Sequence, residues 1–487
     1  MPSKVCVIGL DSAPPEIVFE RYRNDLPVLR RLMESGVYGP LESTVPPITV
    51  PAWMCMLTGS DPGTLGIYGF RNRRDHSYDG LAFANSHMVR EAAVWDVLAQ
   101  TGRRSILLGV PLTFPPKPIN GEVVSCFLAP NTEAEYTFPA ALKQEIRDTV
   151  GEYVIDVRDF RTDDKQRLLA DIRAATDKRF ELARHLVSTH PWDFFMMVEM
   201  GPDRIHHGFW RYFDREHPRY EPGNPYEHAI RDYYVALDRH IGNLLALLPP
   251  DTAVLVVSDH GAKRMEGGIC FNDWLIREGY LALKEPPSGP TKFSPALVDW
   301  TRTRAWGDGG YYGRLFLNVQ GREPQGTIPP DQVEAVRAEL IARLEALGDE
   351  EGRPIGTRVF RPEQVFRACN NVPPDLIVYF GDLTWRSVGS VGNPSAWTRE
   401  NDTGPDDANH AQHGIAILSG PGFDTPGGQR RGGMAIRDIA PTILRAFGVA
   451  PPASMGGSAI AGAAGEPVYT EDEEAEIARR LEDLGYL

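Results

Sequence analysis

Four short apolar runs set the frame of this chain, and each stops abruptly. Val5–Leu10 stops at Asp11, Ser105–Val110 at Pro111, Phe194–Val198 near Glu199, and Ala253–Val257 at Ser258, Asp259 and His260. Runs of this length without polar alternation predict strands buried on both faces of a mainly parallel sheet, with helices packed on either side. Helical patterns lie between them. From His228 to Leu248 the residues Ile230, Tyr234, Leu237, Ile241, Leu244 and Leu248 recur on one face. Pro329, Pro330 and Asp331 open another helix, whose buried stripe is Val333, Val336, Leu340, Leu344 and Leu347. Near the C-terminus Thr470 and Glu473 have capping-box spacing, Glu471–Glu476 reads as a charged helix start, and Gly485 as its C-cap. The Gly/Ala-rich stretch Gly456–Gly465 reads as a surface linker to that helix.

Between Pro286 and Gln364 the pattern changes to Gly- and Pro-rich loops, a short strand-like run Arg314–Val319 and the helix after Pro330. The expected organisation is an α/β core in two parts, 1–285 and 365–487, the second ending in the C-terminal helix, with an inserted cap at 286–364. The runs Leu376–Phe380 and Ile415–Leu418 are expected to return to the central sheet. In open sheets of this kind ligands bind beyond the carboxyl ends of the strands, where Asp11 and Asp259 fall.

Composition adds limits. With 42% hydrophobic and 24% charged residues the 487-residue chain has ordinary globular usage, and no apolar run approaches the roughly 18 residues a membrane-spanning helix needs. The opening Met-Pro-Ser-Lys leads straight into the first strand and contains no signal-peptide core. Cys6, Cys55, Cys126, Cys270 and Cys369 are odd in number and scattered, which suits reduced thiols in a cytoplasmic protein and indicates neither a disulfide framework nor a thiolate metal site. A net charge of −15 disfavours nucleic acid polymers and anionic membrane surfaces as partners. A small anionic substrate stays compatible with it, because bound metal charge dominates locally. Nothing in the sequence sets the oligomeric state.

The candidate chemistry lies in Asp and His residues from four separate parts of the chain: Asp11, Asp203 with His207, Asp259 with His260, and His410. Each alone has an ordinary explanation, as a cap, a turn residue or a solvated helix face. Together they form a mixed imidazole and carboxylate set that suits zinc or another first-row divalent ion, with enough donors for two sites. Two ions about 4 Å apart stabilise the attacking and leaving oxygens of an in-line displacement, the chemistry of phosphate-ester cleavage. Thr49, between Pro47 and Pro51 at the start of a helix, is placed to meet the positive end of that helix and to offer a hydroxyl to a metal. By itself it would be an N-cap.

VIGLD, ITVPAW followed by LTG, PDRIHHGFW, VVSDHG, LFLNVQGREPQG, PPDLIVYF, NHAQHGIAILSGPG and IRDIAPTILRAFGV occur in that order over most of the chain. With these pieces the sequence resembles the alkaline phosphatase superfamily, specifically its type I phosphodiesterase/nucleotide pyrophosphatase branch and relatives similar to cofactor-independent phosphoglycerate mutase. The resemblance implies an alkaline-phosphatase-like fold and hydrolysis of a small phosphate ester through a covalent phosphothreonine on Thr49, with two divalent ions, zinc or alternatively manganese. One ion would be held by Asp11, Asp259 and His260, with Thr49 reaching toward it, and the other by Asp203, His207 and His410. His410, followed after three residues by Gly414, has the family spacing; His413 is the alternative ligand or a substrate contact. His206 would be a packed or supporting histidine. A sulfatase would carry Cys or Ser at the nucleophile and Arg four residues later, where this chain has Thr49 and Trp53. The asparagine with which nucleotide pyrophosphatases usually contact phosphate is missing from Leu65–Phe70, so Arg71, Asn72 or Arg73 would replace it, unless the arginines are solvated surface charge. Two other readings stand beside hydrolysis. One is mutase-type phosphotransfer, with the segment Asn318–Glu323 closing over the substrate; the other is a noncatalytic, metal-stabilised binding protein. Monoester, diester, pyrophosphate and phosphonate substrates are all left open.

Overall fold

Residues 2–460 are described by the computed structural model, so the expected C-terminal helix with Thr470, Glu473 and Gly485, and the second half of the linker before it, lie outside the described residues. In chain order the first elements are β1 (Lys4–Leu10), β2 (Val37–Glu42), α1 (Thr49–Thr58), β3 (Arg71–Arg73), β4 (Leu81–Phe83), β5 (Ser105–Leu108) and β6 (Gly121–Val124). They are followed by α2 (Leu142–Val150), α3 (Lys165–Thr189), β7 (Phe194–Glu199), α4 (Gly201–Phe213), α5 (Ala229–Leu245), β8 (Thr252–Val257) and β9 (Gly261–Arg264). The last group is β10 (Ala305–Asp308), β11 (Gly313–Leu317), α6 (Val333–Glu345), β12 (Arg358–Phe360), β13 (Leu376–Tyr379), β14 (Ala408–Ala411), β15 (His413–Ser419) and α7 (Ile439–Ala446).

The central sheet runs β2-β15-β8-β1-β7-β5-β6 and is extended by two-residue strands at both edges. Strands β8, β1, β7, β5 and β6 are mutually parallel, and β15 is antiparallel to both β8 and β2. This is the mainly parallel α/β sandwich the apolar runs predict. Alternate residues of β1 show why those runs carry no polar positions. Cys6, Ile8 and Leu10 pack into one hydrophobic core with α3, α4 and α5, and Val5 and Val7 pack into another with α1 and α7. A strand with helices on both faces has no solvated side.

A second unit holds its own hydrophobic core, drawn from Ile269 to Ala396 and thus reaching beyond 286–364 on both sides. Its four-stranded antiparallel sheet runs β10-β11-β13-β12, and Val336, Leu340 and Leu344 of α6 are buried in its core. One expectation is corrected here. Leu376–Tyr379 pairs with β11 and β12 and never joins the central sheet; its apolar character reports burial but not which of two sheets it enters. Ile415–Leu418 does return to the central sheet, in β15. No helix among the described residues is long and apolar enough to cross a membrane, and their five cysteines are free.

Candidate active site

The carboxyl ends of β1, β7 and β8 converge on one buried cluster. Asp11 directly follows β1 and Asp259 and His260 follow β8 after Ser258. Asp203 and His207 lie one turn apart on α4, which starts just after β7, so both side chains leave the helix on the same face. His410 arrives from far along the chain: β14 pairs antiparallel with β9, opposite Ala262, and this ribbon stacks the His410 ring on that of His260 with centroids 3.8 Å apart. All six side chains are buried, so the alternative of a solvated helix face for Asp203 and His207 is excluded.

Thr49 is the first residue of α1, preceded by Ile48 in extended conformation, and it makes no capping bond. Its Oγ1 lies 3.3 Å from His260 Nε2. One turn on, Trp53 shares its face and donates its indole N–H to Asp11 Oδ2 at 2.7 Å. The helix N-terminus thus presents a hydroxyl and its positive pole to the same place.

The imidazoles are oriented through their Nδ1 atoms. His260 Nδ1 lies 2.9 Å from the Gly261 carbonyl, His410 Nδ1 2.8 Å from the Pro47 carbonyl, and His207 Nδ1 2.7 Å from Asp406 Oδ1. Each leaves Nε2 turned toward the carboxylates: His207 Nε2 is 3.1 Å and His410 Nε2 3.8 Å from Asp203 Oδ1, while His260 Nε2 is 3.3 Å from Asp259 Oδ2 and 3.7 Å from Asp11 Oδ1. An Nδ1 tied to a carbonyl or carboxylate with Nε2 free is the arrangement of metal-ligating histidine.

The carboxylates give the test of fit for a metal. Asp11 Oδ1, Asp203 Oδ1 and Asp259 Oδ2 are buried without a hydrogen-bond donor, a costly state for charged oxygens. Burial, and then the Asp203 charge, push Asp11 well above the usual carboxylate range, and burial with Asp11 does the same to Asp259. For Asp203 burial acts upward too, but its contacts with His207 and with the Arg204 guanidinium outweigh it and hold the group well below that range. Burial lowers His260 to about 4, and burial with His260 holds His410 well down, so both rings are neutral, as ligands must be. Donor chemistry and orphaned oxygens fit divalent cations. The donor atoms form two overlapping groups, Asp203 with His207 and His410, and Asp11 with Asp203 and His260, each within 4.8 Å. Asp203 therefore stands between the two expected sets rather than in one of them, and Asp259 joins through its contact with His260.

A cavity of about 330 Å³ opens on Thr49, Asp203 and His410. Its walls include Arg71, Arg161, Arg204 and Tyr311. The loop between β10 and β11 supplies Tyr311, whose ring stacks on His410 and His207 at 4.3 and 4.8 Å. Arg204 pairs with Asp156 and Asp203, and Arg161 with Asp406. Arg71 is the more available cation, with 41% of its side chain exposed and only a 3.3 Å contact to Asp308.

The remaining expected phosphate contacts are corrected by their surroundings. Asn72 accepts from the Tyr68 amide at 2.7 Å and donates to the Gly69 carbonyl at 2.9 Å, so it shapes its own loop. Arg73 is buried on Glu323 at 3.3 Å, between Trp306 and Phe316. His413 is exposed at the start of β15, paired across the sheet with Glu42 and outside the cavity lining. His206 packs against Tyr234 and Trp210 as a core histidine. Asn318 donates to three carbonyls, of Trp300, Thr303 and Gln325, and Glu323 accepts from the Val319 amide, so Asn318–Glu323 is a locked turn. Sequence reasoning missed Asp406 and Tyr311. The Asp406–Asp407 pair just upstream of His410 was a visible signal; Tyr311 had none.

A family model described as type I phosphodiesterase / nucleotide pyrophosphatase matches residues 5–415. No curated protein matches the sequence. Among solved structures, human ectonucleotide pyrophosphatase / phosphodiesterase 5 superposes with TM-score 0.55 at 14% identity, covering 93% of this chain and 97% of that one. The inactive murine counterpart in complex with AMP gives 0.54 at 13% identity, covering 92% and 96%. Phosphonoacetate hydrolase from Sinorhizobium meliloti 1021, in complex with phosphonoformate, gives 0.60 at 16% identity, covering 91% and 96%. At these identities the likeness is one of fold.

Proposed function

We propose, for a chain that belongs to the type I phosphodiesterase / nucleotide pyrophosphatase family and is a phosphoric ester hydrolase, that Thr49 is the nucleophile of a two-step hydrolysis assisted by two divalent ions. The observation that carries this reading is the position of Thr49 Oγ1, at a helix N-terminus 3.3 Å from His260 Nε2 and in the cavity that also exposes Asp203 and His410. Asp11, Asp259 and His260 would hold one ion and Asp203, His207 and His410 the other, with Asp203 near both; zinc suits this donor set best and manganese is the alternative. When bound, the ions supply positive charge that lowers the pKa of the hydroxyl and offsets charge on the phosphate oxygens.

Thr49 Oγ, its proton lost to water, attacks phosphorus in line. An Oγ–P bond forms as the bond to the leaving alcohol breaks, and the departing oxygen takes a proton from water. In the second step water adds to phosphorus from the vacated side, the Oγ–P bond breaks and the hydroxyl is restored. Arg71 holds a phosphate oxygen at the mouth of the cavity. The AMP and phosphonoformate bound by the two neighbours support a small anionic substrate for a cavity of about 330 Å³.

The test is turnover of mono-aryl and bis-aryl phosphates by Thr49→Ala with zinc present. A loss of at least about 100-fold, or about 2.7 kcal/mol of barrier, is expected. Activity retained within tenfold would sink the assignment. Hydrolysis rather than phosphotransfer is supported by Asn318–Glu323, which bonds to Trp300, Thr303 and Gln325 hold in place; release of inorganic phosphate rather than an isomerised product would separate the two.

A further inference from the structure

At the opposite end of the sheet from the catalytic cluster, three side chains from two helices converge on one point. Glu145 of α2 places Oε1 2.6 Å from His185 Nε2, in the last turns of α3, and 2.7 Å from His190 Nε2, the residue that ends α3. The three donor atoms lie within 4.8 Å of one another. Behind them Glu122 of β6, itself buried, places Oε2 3.0 Å from His190 Nδ1.

We propose that Glu145, His185 and His190 form a further divalent-metal site, of the two-histidine, one-carboxylate type that takes zinc, with Glu122 as the carboxylate that orients His190. Several observations carry this beyond an ordinary ion-pair network. Both imidazoles aim Nε2 at the same carboxylate oxygen, and His190 has its other nitrogen on a buried carboxylate, the support that fixes the tautomer of a ligating imidazole. The α3 C-terminus adds the negative pole of a 25-residue helix. Side-chain exposures of 28% for His185, 17% for His190 and 35% for Glu145 leave a fourth position open to water.

The spacing is compatible with zinc after a small opening. Two bonds of about 2.0–2.1 Å at a tetrahedral angle separate ligand atoms by roughly 3.3 Å. The present contacts of 2.6 and 2.7 Å are those of shared protons, so the ion would replace those protons as the partly exposed side chains part by roughly 0.6 Å. Binding would tie the nine-residue α2 to the end of α3.

The site is distinct from the catalytic centre. Through the strand register Glu122, Ile106, Phe195 and Cys6 lie level across the sheet. Cys6 precedes Asp11 by five positions, roughly 16 Å along a strand, and three strand spacings add about 14 Å sideways, for a separation on the order of 20 Å.

The experiment compares zinc content after equilibrium dialysis of the wild-type protein and of the His185→Gln/His190→Gln variant. The variant is expected to bind one equivalent less per chain while its aryl phosphate hydrolysis is unchanged. Equal zinc content would overturn the proposal. Because the readout is a difference, it stands or falls independently of how many ions the catalytic cluster holds. A second measurement needs no variant: zinc should protect His185 and His190 of the wild-type protein from acylation by diethyl pyrocarbonate, read by peptide mass spectrometry. Equal acylation with and without zinc also overturns the site.

Discussion

Arg71 lines the cavity and Asp406 holds His207, and their environments predict different defects. Arg71 keeps 41% of its side chain exposed and has one weak acidic partner, so removing it would leave the fold intact and, in the proposed role, delete charge-assisted bonds to substrate. Arg71→Ala should raise KM for an aryl phosphate by roughly tenfold or more, corresponding to about 1.5–3 kcal/mol, with little change in thermal midpoint. Asp406 does not line the cavity. It receives His207 Nδ1 at 2.7 Å and also pairs with Arg161. Asp406→Asn keeps the shape but removes the charge that makes His207 a strong donor, so the zinc concentration that restores half of full activity to chelated enzyme should rise about 10–100-fold. The clustering of Asp11, Asp203, Asp259 and His260 was legible in the sequence because strand ends mark where a doubly covered sheet presents its site. Asp406 left only the trace of an acidic pair upstream of His410 and Tyr311 none, because a residue that orients another is defined by a distance, and no spacing rule encodes it. Asn72 shows the converse: polar and adjacent to the motif, it is consumed by the Tyr68 amide and the Gly69 carbonyl.

Among elements, the contact of β1 with α1 fixes Thr49 relative to Asp11. It depends on Gly9, where a Cβ would stand 2.5 Å from Trp53 Cη2 and 2.9 Å from Val198 Cγ2. Gly9→Ala must therefore move α1 or the indole, at a cost of about 1–3 kcal/mol, and should lower the thermal midpoint by a few degrees; an unchanged midpoint would mean that the helix yields freely. The apolar runs disclosed these strands because each is buried on both faces. The same reasoning misassigned Leu376–Tyr379, since a run buried in a small antiparallel sheet under a helix looks identical in sequence to one in the large sheet. Pairing partners, not hydrophobicity, distinguish them, and partners are set by loops such as the β10–β11 connection, which carries no periodic signal.

Across the whole molecule, the cluster of Asp11, Asp203 and Asp259 is a concentration of buried negative charge that cations would relieve. Ions binding only the folded chain add about 2.7 kcal/mol per site at a hundredfold excess over Kd. Chelation should accordingly lower the thermal midpoint by several degrees and abolish turnover, and both should return with zinc. A midpoint indifferent to chelator would argue that the cluster is stable as bare carboxylates.

The stacking of Tyr311 on His207 and His410 joins the second unit to the core through the centre itself. Because the proposed donors run from Asp11 to His410, a growing polypeptide on the ribosome would have no complete cradle until position 410 has been added. Until then a cation could gain no more than a partial hold, and hydrolytic power would arrive all at once rather than accumulating with length.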